Sequence, residues 1–103
     1  MRRIVITGLG TVNPLGHDVE SYWAALAAGK NGIGPVTLFD ATGYATTVGG
    51  EVGVYDGNWA FKDQKMAGRL DRYQILGHAA ARQALDDCGM DVSKVAERFG
   101  VIL

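Results

Sequence analysis

The chain has 103 residues, with 10 basic and 11 acidic side chains and a net charge of −1. A balance so near zero leaves no field to hold a polyanion, which argues against nucleic-acid or membrane-surface binding. Hydrophobic residues at 48 % exclude a disordered tail, and the lone Cys88 excludes an internal disulfide framework.

Arg3-Ile4-Val5-Ile6-Thr7 is β-branched and unbroken, the pattern of a parallel strand covered on both faces. It closes on Gly8-Leu9-Gly10, read as a tight turn, and a loop through Asn13-Pro14 follows. Only three apolar residues follow Arg2-Arg3 before Thr7, too few for an export signal. The longest apolar run, Tyr22 to Ala28, is far short of the ~20 residues needed to span a bilayer. A cytoplasmic setting is the expectation.

Asp18 then offers an N-cap, with Glu20 in the first turn, where a helix dipole favours negative charge. Val19, Tyr22, Trp23, Leu26 and Ala27 recur at helical spacing, and Gly29 followed by Lys30 marks the stop. From Asn31 to about Phe61 the chain reads as an excursion that packs on something larger. Within it Thr46 to Tyr55 suits strands or a hairpin on Gly49-Gly50.

A longer helix is predicted from about Arg69 to Cys88, closed by Gly89. Its apolar arc is wide, with Gly77 and Ala79-Ala80-Ala81 at the middle. A helix-interior glycine costs about 0.5–1 kcal/mol relative to alanine, so a close backbone approach at Gly77 is the expected compensation. After a turn of helix from Val92 to Ala96, Phe99-Gly100-Val101-Ile102-Leu103 again reads as a buried parallel strand. Strand, helix and strand in that order predict an α/β fold with right-handed crossovers. Two such strands and a helix apolar on two sides need more cover than 103 residues supply, so an isolated chain is expected to fold poorly or bind a complementary chain.

The chemistry-bearing residues are few. Gly8-Leu9-Gly10 after a strand invites a nucleotide-binding half-domain, but Asn13 stands where the fingerprint wants a third glycine and the helix begins too late. Cys88 at a helix C-terminus meets the dipole end that disfavours a thiolate. His17 and His78 have no ligand or base partner at useful spacing, and no metal or cofactor is expected. Lys62, Lys65, Arg69 and Arg72 form a basic group interrupted by Asp63 and Asp71. It is either a solvated helix start or a docking patch for an acidic protein.

RRIVITGLGTVNPLGHDVESYWAALAAGKNGI resembles the opening of the β-ketoacyl–acyl carrier protein synthases, and the likeness continues through FDATGYATTVGGEV, LDRYQILGHAAARQALDDCGMD and RFGVIL. The weakest stretch runs from about Gly53 to Ala67. The resemblance makes residues 1–103 the N-terminal part of the family's N-terminal domain, with no complete domain boundary inside. It implies an incomplete N-terminal half of a thiolase-like fold, parallel strands joined by crossover helices, and a homodimeric condensing enzyme. It also implies a decarboxylating Claisen condensation by one cysteine and two histidines. All three lie beyond the equivalent of Leu103, so Cys88 does not inherit the role and this segment alone is expected to be inactive. Basic residues at the start of the long helix receive acyl carrier protein in similar enzymes. Lys65 and Arg69 match that pattern, with Lys62 and Arg72 as further candidates, while Gly68 stands where a basic residue is often found. The competing readings are a non-catalytic interaction or dimerisation module and the nucleotide-binding half-domain.

Overall fold

The computed structural model describes residues 1–102. Asp18 starts helix α1 (Val19–Ala27) from extended backbone, and its carboxylate accepts the Ser21 N–H at 2.7 Å. Gly29 ends it at φ 68°, with the Lys30 N–H reaching back to the Ala25 carbonyl at 3.0 Å. Both ends are as the sequence predicts. The face is not: Ala25 is the buried residue, while Val19, Trp23 and Leu26 are exposed.

The segment after α1 forms a small antiparallel arm. Strand β1 (Ile33–Pro35) pairs with strand β2 (Val48–Gly50) in the register Ile33 to Gly50 and Pro35 to Val48. Gly49 and Gly50 thus lie inside a strand, not at the tip of a hairpin. The Glu51 carboxylate extends the pairing by accepting the Leu38 N–H at 2.9 Å, the Thr37 N–H at 2.9 Å and the Thr37 hydroxyl at 2.8 Å.

A 3-10 turn (Asn58–Ala60) and the four-residue helix α2 (Gln64–Ala67) precede the main helix α3 (Arg72–Cys88). The helix predicted from about Arg69 is thus formed as α3, beginning at Arg72, and α2 is a separate short helix ahead of it that the apolar spacing does not announce. Asp63 caps α2 through the Lys65 N–H at 2.9 Å, and the chain restarts at Asp71, whose N–H donates to Gln74 Oε1 at 2.9 Å. Gly89 closes α3 in the left-handed region at φ 61°. A second 3-10 segment (Val92–Arg98) follows, longer than the predicted turn.

The core is small and built mostly from alanine: Ala60, Phe61, Ala67 and Ala79 are buried, with Val12, Tyr55, Leu70 and Ile75 packed around them. Ala79 is 0 % exposed at the middle of α3. Gly77 faces open space, so the close approach expected there is not made among the described residues. The close approach is at Gly8 and Gly10. A Cβ on Gly8 would overlap the Ala84 carbonyl oxygen and lie 2.8 Å from Cys88 Cβ; one on Gly10 would overlap the Ala80 carbonyl and lie 2.8 Å from Gln83 Cβ. Neither glycine has a positive φ, so the pair is a packing seam against α3, not a left-handed turn. Polar side chains of α3 complete the seam: the Leu9 N–H donates to Asp87 Oδ2 at 2.9 Å and the Thr11 N–H to Gln83 Oε1 at 3.1 Å.

The two predicted parallel strands are not formed as strands. Ile4 is 95 % exposed, Ile6 82 % and Ile102 97 %, and residues 1–7 and 99–102 carry no ladder. A strand's amides need a neighbouring chain, and none lies beside them among the described residues. Thr7, Gly8, Val101 and Ile102 share one groove of about 370 Å³ with Ala84 and Cys88 of α3, so both segments reach the same side of the crossover helix. The total accessible surface is 8528 Å², against about 5,600 Å² for a compact monomer of this mass. The radius of gyration, 16.6 Å, likewise exceeds the roughly 13 Å of a compact 100-residue domain. Large apolar side chains remain without cover.

Candidate functional site: a basic surface on the short helix

Helix α2 is a platform held from beneath. Ala67, its last residue, and Phe61 just ahead of it are buried, and Gln64 Nε2 donates to the carbonyls of Asn58 at 3.0 Å and Phe61 at 3.2 Å. The Phe61 ring is itself fixed by stacking on His78 with centroids 4.1 Å apart, while His78 Nε2 donates to the Ala60 carbonyl at 3.1 Å. His78 is thus a structural residue that pins the platform to α3. The outward face then carries Lys62, Lys65 and Arg69, all exposed. Among the described residues none of these cations makes an ion pair; the two salt bridges are Arg82–Asp86 and Lys94–Asp91.

The two aspartates that interrupt this basic group in the sequence are occupied at helix starts. Asp63 turns its carboxylate onto the Lys65 N–H, and Asp71 sits at the N-cap of α3. Arg72 stands apart from the other cations. Its Nη2 donates to the carbonyls of Val52 and, at 2.6 Å, of Gly53, tying the start of α3 to the loop ahead of the 3-10 turn. The sequence brought four basic residues together; all four are exposed in the structure, and Arg72 differs from Lys62, Lys65 and Arg69 in that its guanidinium is engaged by backbone carbonyls. The carbonyl contacts of Arg72 carry no sequence signal, because they join residues about twenty positions apart.

The other singled-out residues are structural. Cys88 Sγ donates to the Leu85 carbonyl at 3.2 Å and accepts the Met90 N–H at 3.4 Å, and its Cβ lies at the Gly8 seam. The His17 ring leans on Tyr55 at 4.7 Å. The nucleotide-binding reading of Gly8–Gly10 is overturned by the same seam: α3 backbone fills the space beside the glycines that a pyrophosphate would need. No group of three metal-ligating side chains is assembled among the described residues, and no helix there is long and apolar enough to cross a membrane.

The carboxylates with shifted titration lie elsewhere. Asp18 is held below the ordinary aspartate range chiefly by the Ser21 backbone N–H and then by its hydroxyl. Glu51 is lowered first by the Leu38 N–H and then by Thr37. Both are cap-like anchors of local structure.

A family model described as "Beta-ketoacyl synthase, N-terminal domain" matches residues 1–103. The chain belongs to the β-ketoacyl synthase family. It is 40 % identical over 103 residues to a 3-oxoacyl-[acyl-carrier-protein] synthase 2 from Synechocystis, covering 99 % of this chain and 24 % of that protein. A Coxiella burnetii protein of the same name is 41 % identical, with 99 % of this chain and 25 % of that protein covered. Among solved structures, the ishigamide ketosynthase/chain length factor superposes with a TM-score of 0.67 at 32 % identity, over 89 % of this chain and 23 % of that one. The fold is therefore the N-terminal part of a ketosynthase, an α/β arrangement of the thiolase-like type. The chain spans about a quarter of the length of the curated relatives it matches.

Proposed function

We propose that these residues belong to a cytoplasmic, homodimeric 3-oxoacyl–acyl carrier protein synthase of fatty-acid or polyketide synthesis. The supporting observation is the family match across residues 1–103 together with relatives named for that reaction. In the reaction an enzyme thiolate takes the acyl group from a carrier thioester. Loss of CO2 from the malonyl thioester supplies a carbanion, which forms the new C–C bond at the acyl carbonyl as the enzyme thiolate leaves. The nucleophile and its two histidines lie outside residues 1–103 in this reading. His17, His78 and Cys88 each have other partners, and none faces another as nucleophile and base. The segment's own contribution is scaffold and docking: Lys65 and Arg69, with Lys62, receive the acidic carrier protein, and Arg72 braces the start of α3 against the Val52 and Gly53 carbonyls.

The test compares the 103-residue polypeptide with the protein as it is encoded, following CO2 release from malonyl carrier protein. Turnover is expected only from the encoded protein; condensation by the 103-residue polypeptide would overturn the assignment. Charge reversal at Lys65 and Arg69 is expected to weaken carrier binding, more at low salt than at high.

A further inference from the structure

The basic surface is not purely electrostatic. Met66 sits on α2 between Lys65 and Arg69 and is 52 % exposed, although its neighbour Ala67 is buried to 2 %. The backbone carries it one turn from Arg69, whose N–H donates to the Met66 carbonyl at 3.0 Å. Helix capping by Asp63 and the Gln64 contacts fix α2, so Met66 is presented on a held platform and not on a loose loop. A thioether on a flexible stem suits an irregular apolar partner surface. The surrounding cations, which have no carboxylate partner among the described residues, select an acidic partner.

We infer that Met66 is the apolar bearing of the docking surface, so that carrier protein is held by two separable contributions. Lys62, Lys65 and Arg69 supply a screened attraction to acidic side chains, and Met66 fills an apolar spot among those acids. This rests on the carrier-docking reading above. The two contributions respond differently to salt. Attraction between exposed charges fades once the Debye length falls below their separation, about 10 Å at 0.1 M. Apolar burial does not fade with added salt.

The experiment measures the dissociation constant of the encoded protein for acyl carrier protein at low and high NaCl. Lys65→Glu is expected to weaken binding strongly at low salt and to flatten the salt dependence. Met66→Gln is expected to weaken binding about fivefold at both salts, the loss of roughly one kcal/mol of apolar contact, with the salt slope unchanged. Met66→Leu restores the affinity. Because Met66 is exposed, all Met66 variants should melt as the parent does. Binding that is unaffected by Met66→Gln, while Lys65→Glu weakens it, overturns this inference and leaves carrier docking standing. Equal loss in Met66→Leu and Met66→Gln overturns it too, since size and polarity would then be irrelevant. Indifference to both Lys65→Glu and Arg69→Glu removes the docking reading itself.

Discussion

Gln83 is bound to His17 across the loop that follows the glycine seam: its Nε2 donates to the His17 carbonyl at 2.7 Å while its Oε1 accepts the Thr11 N–H at 3.1 Å. One side chain of α3 thereby holds both ends of the segment from Thr11 to His17. Each hydrogen bond contributes about 1 kcal/mol net. Gln83→Leu is expected to lower stability by roughly 2 kcal/mol, read as a fall in denaturant midpoint with an unchanged slope. A midpoint like that of the parent would show that the loop is held by other means.

Gly10→Ala should be far more damaging than its one added methyl suggests. The new Cβ meets backbone at the Ala80 carbonyl, and a helix carbonyl has no rotamer by which to move away. A loss of about 1–3 kcal/mol, or failure to accumulate folded protein, is expected. Gly34→Ala is the matched control, because a Cβ there meets nothing within 4 Å. Comparable melting shifts for the two variants would contradict the packing seam.

Arg72→Lys preserves the charge and removes the forked donor that reaches the Val52 and Gly53 carbonyls. Stability is expected to fall by about 1 kcal/mol, with a smaller effect on carrier affinity than Lys65→Glu has. Loss of affinity at unchanged stability would mean that the guanidinium faces the partner.

Glu51 makes the arm sensitive to acid. Its carboxyl titrates below the ordinary glutamate value, mainly because the charged form accepts the Leu38 and Thr37 N–H groups. A depressed folded pKa means that the contribution is complete above the unfolded pKa, about 4.3, and is lost as pH falls through the lower folded value. The protection of the Thr37 and Leu38 amides, measured as exchange relative to the unfolded chain at the same pH, should therefore fall as acid is added through the lowered folded pKa, and Glu51→Gln should abolish that dependence. Protection that persists through this range in the parent would refute the anchor.

Local signals were legible and pairings were not. Asp18 and Gly29 bounded α1 correctly, and Gly89 ended α3, because caps are decided by residues within a turn of each other. Asp71 starts α3 at Arg72, within a turn of the expected Arg69, while the four-residue α2 ahead of it is too short for apolar spacing to reveal. Partners of β2 could not be read, since Gly49 and Gly50 suit a hairpin tip as well as a strand facing Gly34. The segments Arg3–Thr7 and Phe99–Ile102 carry the composition of buried strands, but composition states only what they would bury, not what lies beside them. At the candidate site the sequence located the basic residues. It missed that Arg72 is engaged by the Val52 and Gly53 carbonyls, a pairing of distant residues, and that Met66 is exposed on the separate short helix α2.

The glycine seam has a consequence for mutational tolerance. At Gly8 and Gly10 the excluded object is the Cβ atom, which every other coded residue possesses, so chemistry offers no graded series of substitutes. A saturation library should show both columns depleted together, alanine included, whatever the polarity or size of the replacement. Compensation would have to come from α3 moving outward as a rigid rod, which no single codon change supplies.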